Sequence, residues 1–176
     1  MATAKKKLLS VLTPVLNEQD GLKTYFERIE KELLSVPGLD YEVILIDDGS
    51  TDSSWEMIQE KSTTDSRYHG ISLSRNFGAH IALSAGLQSC RGDAAVILAC
   101  DLQDPPKVVL EFVQEWQKGA NIVWGHRISR QDDLWRIWVS NAFNSLLKKF
   151  AMPKNSQFST GSFFLADRKS IDAYRK

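Results

Sequence analysis

An apolar run at residues 94–100 stops at Asp101, and Gln103, Asp104, Pro105 and Pro106 follow at once. Oxygen donors of this kind suit a hard divalent cation. Mg²⁺ in particular takes one or two carboxylates and fills its shell with water and substrate phosphate oxygens. Asp101 and Gln103 lie two apart at an extended strand end, so their side chains can face the same way. Alone they make a weak site; with a diphosphate present they make a good one. Spacing leaves a second explanation equally open, in which Asp104 caps a helix starting at Pro105 and Asp101 is a solvated loop acid.

A second acidic pair, Asp47 and Asp48, follows the segment at residues 41–46, which is continuously apolar after Glu42. Two carboxylates at a strand end can accept hydrogen bonds from a nucleobase or a ribose. The residues after them also spell a turn, with Ser50 or Thr51 as N-cap of a helix near Trp55 and Asp52 in its favourable first turn. No GxGxxG, GxxxxGK[ST] or GxSxG occurs, so the dinucleotide, P-loop and nucleophile-elbow fingerprints are missing. His69, His80 and His126 are scattered and read as structural. Cys90 and Cys100 sit in apolar surroundings without metal-ligand spacing, and read as reduced core thiols of a cytosolic protein.

The elements that must position these residues alternate. Strands are predicted at 8–13, closed by Pro14, and at 41–46, 69–73, 94–100 and 122–124. Helices are predicted at 19–35, from Trp55 onward, at 79–90, and from Pro105 through an apolar face of Val109, Phe112, Val113 and Trp116. Alternation of this kind implies an α/β fold with a mostly parallel sheet and helices on both faces. Ligands of such sheets bind at the carboxyl ends of the strands. That rule gathers residues 14–18, 47–50, 73–78 and 101–104 along one rim.

The bulk numbers set the remaining bounds. The chain has 176 residues, suited to one domain, with 22 basic and 22 acidic side chains. A net charge of zero offers no electrostatic case for nucleic acid. MATAKKK does not read as a signal peptide, and no window is apolar for long enough to span a bilayer.

Taken together, TPVLNEQDGL, YEVILIDDGSTDSS, LSRNFGAHIALSAGL, GDAAVILACDLQDPP, VWGHR and TGSFFLADR, in this order, resemble the family-two glycosyltransferases of GT-A fold. DDGSTD marks the broad family. The DLQDPP and SRNFG segments are similar to the polyprenyl-phosphate branch, which includes dolichyl-phosphate mannose synthases and bactoprenol glucosyltransferases. The resemblance runs from Leu8 to Arg168. It implies a Rossmann-like three-layer sandwich spanning residues 1–176 as one catalytic domain, possessing a nucleotide-diphospho-sugar donor and acting at the cytoplasmic face of a membrane. It implies that Pro14, Leu16, Asn17, Glu18 and Asp48 hold the donor nucleoside, with Asp47, Arg75 and Asn76 in the same pocket. It implies that Asp101 and Gln103 hold Mg²⁺ or Mn²⁺ against the donor diphosphate, with Asp104 beside them, and that transfer inverts the anomeric centre. One departure stands out. The family's metal motif is commonly Asp-x-Asp, and here its first position is Ala99. An inactive nucleotide-binding module is the reading that departure would favour.

On the acceptor side, transfer to an alcohol needs a general base, whereas a phosphate monoester is already an anion and needs only cations to hold it. Arg136 and Ser140 lie four apart, on one helix face. The resemblance assigns Arg127, Arg136 and Ser140 to a polyprenyl phosphate acceptor. Pairing of Arg136 with Asp132 or Asp133 explains the same residues without a ligand. A glycan hydroxyl acceptor would need a carboxylate base, and residues 124–164 offer only Asp132 and Asp133. A nucleotidyltransferase would need a glycine-rich, arginine-bearing loop, which SVLTPVLNEQ lacks. The stripe Trp135, Trp138, Phe143, Leu146, Leu147 and Phe150, flanked by Lys148 and Lys149, suits either a membrane surface or core packing. Residues 160–164 are expected to form a strand under the acceptor site.

Overall fold

The computed structural model describes residues 6–33, 36, 38–101, 107–125 and 163–176. Apart from Gly125, these belong to one compact unit made of Met1–Trp124 and Phe163–Lys176. In chain order the elements are β1 (Lys7–Val15), α1 (Gln19–Leu33), β2 (Leu39–Asp47), α2 (Ser54–Thr64), β3 (Tyr68–Ser72) and α3 (Ala79–Ser89). Then come β4 (Ala94–Ile97), α4 (Lys107–Gln117), β5 (Ile122–Trp124), β6 (Phe164–Asp167) and α5 (Arg168–Tyr174).

The strands form one sheet in the order β3-β2-β1-β4-β6-β5. β1 pairs in parallel with β2 and β4, and β2 with β3. Side chains alternate between faces along each strand. Leu9, Val11 and Val15 of β1, with Val43 and Leu45 of β2, join the buried faces of α1, α2 and α4. Leu12, Ile44 and Ile46 point the other way, into a cluster with Ala82, Leu83 and Leu87 of α3 and Ile171 of α5. Both faces of the central strands are thus dry, which is why their sequences read as continuous apolar runs. α1 buries Leu22, Tyr25, Ile29 and Leu33 at helical spacing; each large apolar side chain so buried contributes about 1.5–3 kcal/mol.

Pro14 does not close β1, which runs on to Val15 beside β2. It closes the pairing with β4. The Val15 carbonyl accepts from Asp48 on the β2 side, and the Leu12 carbonyl from Leu98 on the β4 side at 3.0 Å. By alternation residue 14 faces β4, where proline has no N–H to give. The ladder therefore stops at Ile97 rather than Cys100, and the chain up to Asp101 leaves the sheet at its carboxyl end.

The last strand also differs from expectation. It is Phe164–Asp167, shifted along the chain from the predicted 160–164, and it lies antiparallel between β4 and β5. The sheet is therefore mixed and mostly parallel. α5 is held by its arginines. Arg175 donates to the carbonyls of Leu87 (2.8 Å) and Cys90 (2.6 Å), and Arg168 to those of Gly92 and Cys90. Cations are favoured at the carbonyl-rich end of a helix such as α3.

Candidate donor site at the carboxyl rim

The loop after β1 and the loop after β2 are laced together. Asn17 N–H donates to Ser50 Oγ at 2.9 Å, and Asn17 Oδ1 accepts from the Thr51 N–H at 2.8 Å and the Thr51 hydroxyl at 3.3 Å. Glu18 N–H donates to Ser54 Oγ at 2.9 Å, and Gln19 N–H to Asp52 Oδ2 at 3.2 Å. Ser53 N–H returns a bond to Gln19 Oε1 at 3.0 Å. Asn17 takes a left-handed φ of 54°, which asparagine tolerates better than most residues. The predicted cap of α2 is corrected here. Ser50 and Thr51 face the neighbouring loop, α2 begins only at Ser54, and Asp52 accepts the Ser54 N–H at 3.0 Å.

The two acids after β2 turn inward. Asp47 and Asp48 are both buried. Asp47 accepts the Ser50 N–H at 3.3 Å with either oxygen, and its carbonyl accepts from Leu73 at 2.9 Å. Asp48 accepts Phe77 N–H through Oδ1 and Gly78 N–H through Oδ2, each at 2.8 Å. Gly49, at φ 77°, lets the next loop approach so closely that a Cβ there would lie 2.6 Å from the Arg75 carbonyl carbon. Arg75 and Asn76 are exposed beside it, and the Arg75 guanidinium sits 4.7 Å from the centre of the Phe77 ring.

Carboxylates crowd the rest of the rim. Partial burial, then the charges of Asp101 and Asp52, raise the Glu18 carboxyl above its ordinary 4.5. Burial, with the same Glu18 and Asp101 charges behind it, pushes the Cys100 thiol up to about 12, so it stays protonated and is no nucleophile. A group with a raised folded pKa holds its proton more tightly in the folded state, so its destabilising effect is present at neutral pH and fades in acid. Glu18→Gln is therefore expected to raise stability at pH 7 by about 0.5 kcal/mol, about 1–2 °C in Tm, with the gain gone by pH 4. Thermal unfolding at the two pH values checks this; a gain that grows in acid would contradict the crowding.

The rim thus brings together Pro14, Leu16, Asn17, Glu18, Asp47, Asp48, Arg75, Asn76 and Asp101. Gln103, Asp104, Arg127, Arg136, Ser140, His126 and the tryptophan-bearing segment 132–150 lie outside the described residues. His69 Nε2 lies 2.7 Å from the Arg91 guanidinium; His80 is exposed at the start of α3; both cysteines are free and buried. Sequence reading missed the framework made by Gln19, Ser54, Phe77 and Gly78. Its only trace was the density of Ser, Thr and Asp after β2, which spacing alone assigned to a helix cap.

The pattern of glycosyl transferase family 2 matches residues 10–175. The chain belongs to glycosyl transferase family 2. It is 35% identical, over 96% of its length and 52% of the relative's, to an uncharacterized glycosyltransferase of Synechocystis sp.. It is 37% identical to the undecaprenyl-phosphate 4-deoxy-4-formamido-L-arabinose transferase of Pseudomonas fluorescens, over 93% of this chain and 47% of that one. This family 2 chain therefore spans about half the length of those curated relatives. Its fold matches the mannosyltransferase from Pyrobaculum calidifontis, solved in complex with GDP-Man and Mn²⁺, at a TM-score of 0.61 and 18% identity, covering 94% of this chain and 46% of that one. The fold is GT-A, with the mostly parallel six-stranded sheet described above.

Among the described residues, no three His, Cys, Asp or Glu side chains gather into a metal cage. The donor set that is present fits a different kind of site. Asp101 stands exposed at the rim, where its charge and that of Asp52 act on the Glu18 carboxyl. A cation held by one or two carboxylates and completed by substrate phosphates needs no cage.

Proposed function

We propose that residues 1–176 form the catalytic domain of an inverting glycosyltransferase that moves a sugar from a nucleotide-diphosphate donor to a polyprenyl phosphate at the cytoplasmic face of a membrane. The observation that carries this reading is the 37% identity, over 93% of the chain, to a transferase named for undecaprenyl phosphate. The acid-rich rim at the carboxyl strand ends supports the donor half. No helix among the described residues is long and apolar enough to cross a membrane.

The residue roles follow. The laced loops carrying Pro14, Leu16, Asn17 and Glu18 form the nucleoside side of the donor pocket, with Asp47, Asp48 and Asn76. Arg75 is the one cation in rim segments that carry Glu18, Asp47, Asp48, Asp52 and Asp101, and it faces the donor diphosphate. Asp101 and Gln103, with Asp104 beside them, hold Mg²⁺ or Mn²⁺. Bound there, the ion would supply Lewis-acid neutralisation of the charge on the departing nucleoside diphosphate. Arg127, Arg136 and Ser140 hold the acceptor phosphate, and bidentate arginine suits that anion. One acceptor oxygen bonds to the anomeric carbon as the bond to the donor phosphate breaks. The acceptor is already deprotonated, so no side chain need act as a base.

Sugar-labelled UDP and GDP donors, offered with Mn²⁺ and either a polyprenyl phosphate or an oligosaccharide, test this. Label is expected in the lipid phase. Label entering the oligosaccharide alone would reject the acceptor assignment.

A further inference from the structure

Phe77 is a large apolar side chain that the fold does not use for its core. It leaves 43% of its surface to water and belongs to neither buried cluster. Its backbone is nonetheless held closely. The Phe77 N–H donates to Asp48 Oδ1 at 2.8 Å, and the Arg75 backbone two residues earlier lies against Gly49 with no room for a Cβ. The ring meets the Arg75 guanidinium, whose carbon lies 4.7 Å from the ring centre.

That contact differs in kind from an ion pair. The cation is drawn to the electron-rich face of the ring, and a phenyl ring takes up none of the N–H donors of arginine. Glu18, Asp47, Asp48, Asp52 and Asp101 all belong to this rim, and a carboxylate paired with Arg75 would occupy both its charge and its donor fork. Among the described residues Arg75 enters no ion pair. A long exposed side chain also loses rotamer freedom when it takes hold of a ligand. One that already rests on a ring has less to lose.

We propose that Phe77 is a positioning residue, whose ring carries the Arg75 guanidinium at the rim with its N–H donors free for the donor diphosphate. The role of Arg75 rests on the donor reading above; the stacking does not. Asp48 keeps its place on the nucleoside side of the pocket and also fixes the backbone from which the ring projects.

Two measurements on the full chain test this, on wild type, Phe77→Leu, Phe77→Tyr, Arg75→Ala and the Phe77→Leu, Arg75→Ala double variant. The exposed site tolerates these replacements in the fold. The first measurement is NMR without nucleotide. The ring current of Phe77 is expected to shift the side-chain protons of Arg75 upfield in wild type and in Phe77→Tyr, and the shift is expected to vanish in Phe77→Leu. The second is calorimetry with UDP and GDP plus Mn²⁺. Phe77→Leu is expected to weaken binding about three- to fivefold, the size of an exposed cation–π contact, and Phe77→Tyr to stay within about twofold of wild type. On the Arg75→Ala background Phe77→Leu is expected to add no further loss, because both act through one contact. Unshifted Arg75 protons in wild type would overturn the stacking. Equal binding by wild type and Phe77→Leu would overturn the positioning role. A further loss on the Arg75→Ala background would show Phe77 touching the nucleotide by itself and overturn its action through Arg75. A wild type that binds neither nucleotide would remove the donor reading, and the part given to Phe77 with it, whatever the NMR shows.

Discussion

Asp101→Asn is expected to lower sugar transfer about 10²–10³-fold while moving the unfolding midpoint by no more than about 2 °C. The two halves of that expectation have different origins. Asp101 stands where β4 has already released the chain, exposed to solvent. Substitutions at exposed positions usually change stability by about 0.5 kcal/mol or less. Removing one charge beside Glu18 also relaxes a repulsion that raises the Glu18 carboxyl. The amide keeps the shape of the side chain, so the rim keeps its form. What it loses is the full negative charge that a hard cation requires. Removing a preorganised electrostatic group that acts where charge develops typically costs two to three orders of magnitude in turnover. Initial rates across a Mn²⁺ series, set beside thermal unfolding of the same samples, separate the two effects. Near-normal transfer by the variant would take Asp101 out of the chemistry.

The rim position of Asp101 was legible because strand ends in an α/β alternation announce themselves. Apolar runs such as residues 43–46 and 94–100 stop at acids, and the parallel-sheet rule places those acids on one edge. The helix stripes were equally plain: Val109, Phe112, Val113 and Trp116 of α4 are all buried. Three things stayed hidden, and each is a non-local pairing. Pro14 stops a ladder with β4, not its own strand, and nothing nearby in sequence shows which neighbour lies on that side. Phe164–Asp167 inserts between β4 and β5, a placement set by the sheet and not by spacing. Asp48 meets amides about thirty residues further on, partners to which nothing near it in the sequence points. Local pattern reports period and punctuation. It does not report which distant N–H will come to fill a carboxylate.

Glu42 is the sharpest case of that blindness, and Glu42→Gln is expected to destabilise the fold by about 2 kcal/mol at pH 7. In sequence it is an acid ahead of an apolar run. In the structure it is buried within β2 at 3% exposure, and an unpaired carboxylate there would cost several kcal/mol. Its oxygens are satisfied instead. Oε1 accepts the Ser10 hydroxyl at 2.6 Å and the Arg91 N–H at 2.7 Å, and Oε2 accepts Arg91 Nε at 2.9 Å. Ser10 Oγ in turn accepts the Gly92 N–H at 2.8 Å, and the chain comes so close that a Cβ on residue 92 would lie 2.6 Å from Ser10. The network ties the turn between α3 and β4 to the two central strands. Glutamine would present an NH₂ to a guanidinium, leaving donor against donor. Arg91 can swing to water, its side chain being 66% exposed, which holds the penalty below the about 3–5 kcal/mol for a fully buried broken pair. Burial alone would push the Glu42 carboxyl up, but the bonds from Ser10 and Arg91 outweigh it and leave it below its ordinary 4.5. The folded state therefore holds this proton less tightly than the unfolded chain does. Its stabilisation is complete above about pH 4.5 and is lost as pH falls through the depressed folded value. Denaturant unfolding at pH 7 should separate Glu42→Gln from wild type by about 4–8 °C equivalent in Tm, and the gap should narrow by pH 3.5. A gap of the same size at both pH values would mean that packing, and not the ionised carboxylate, holds this corner of the sheet.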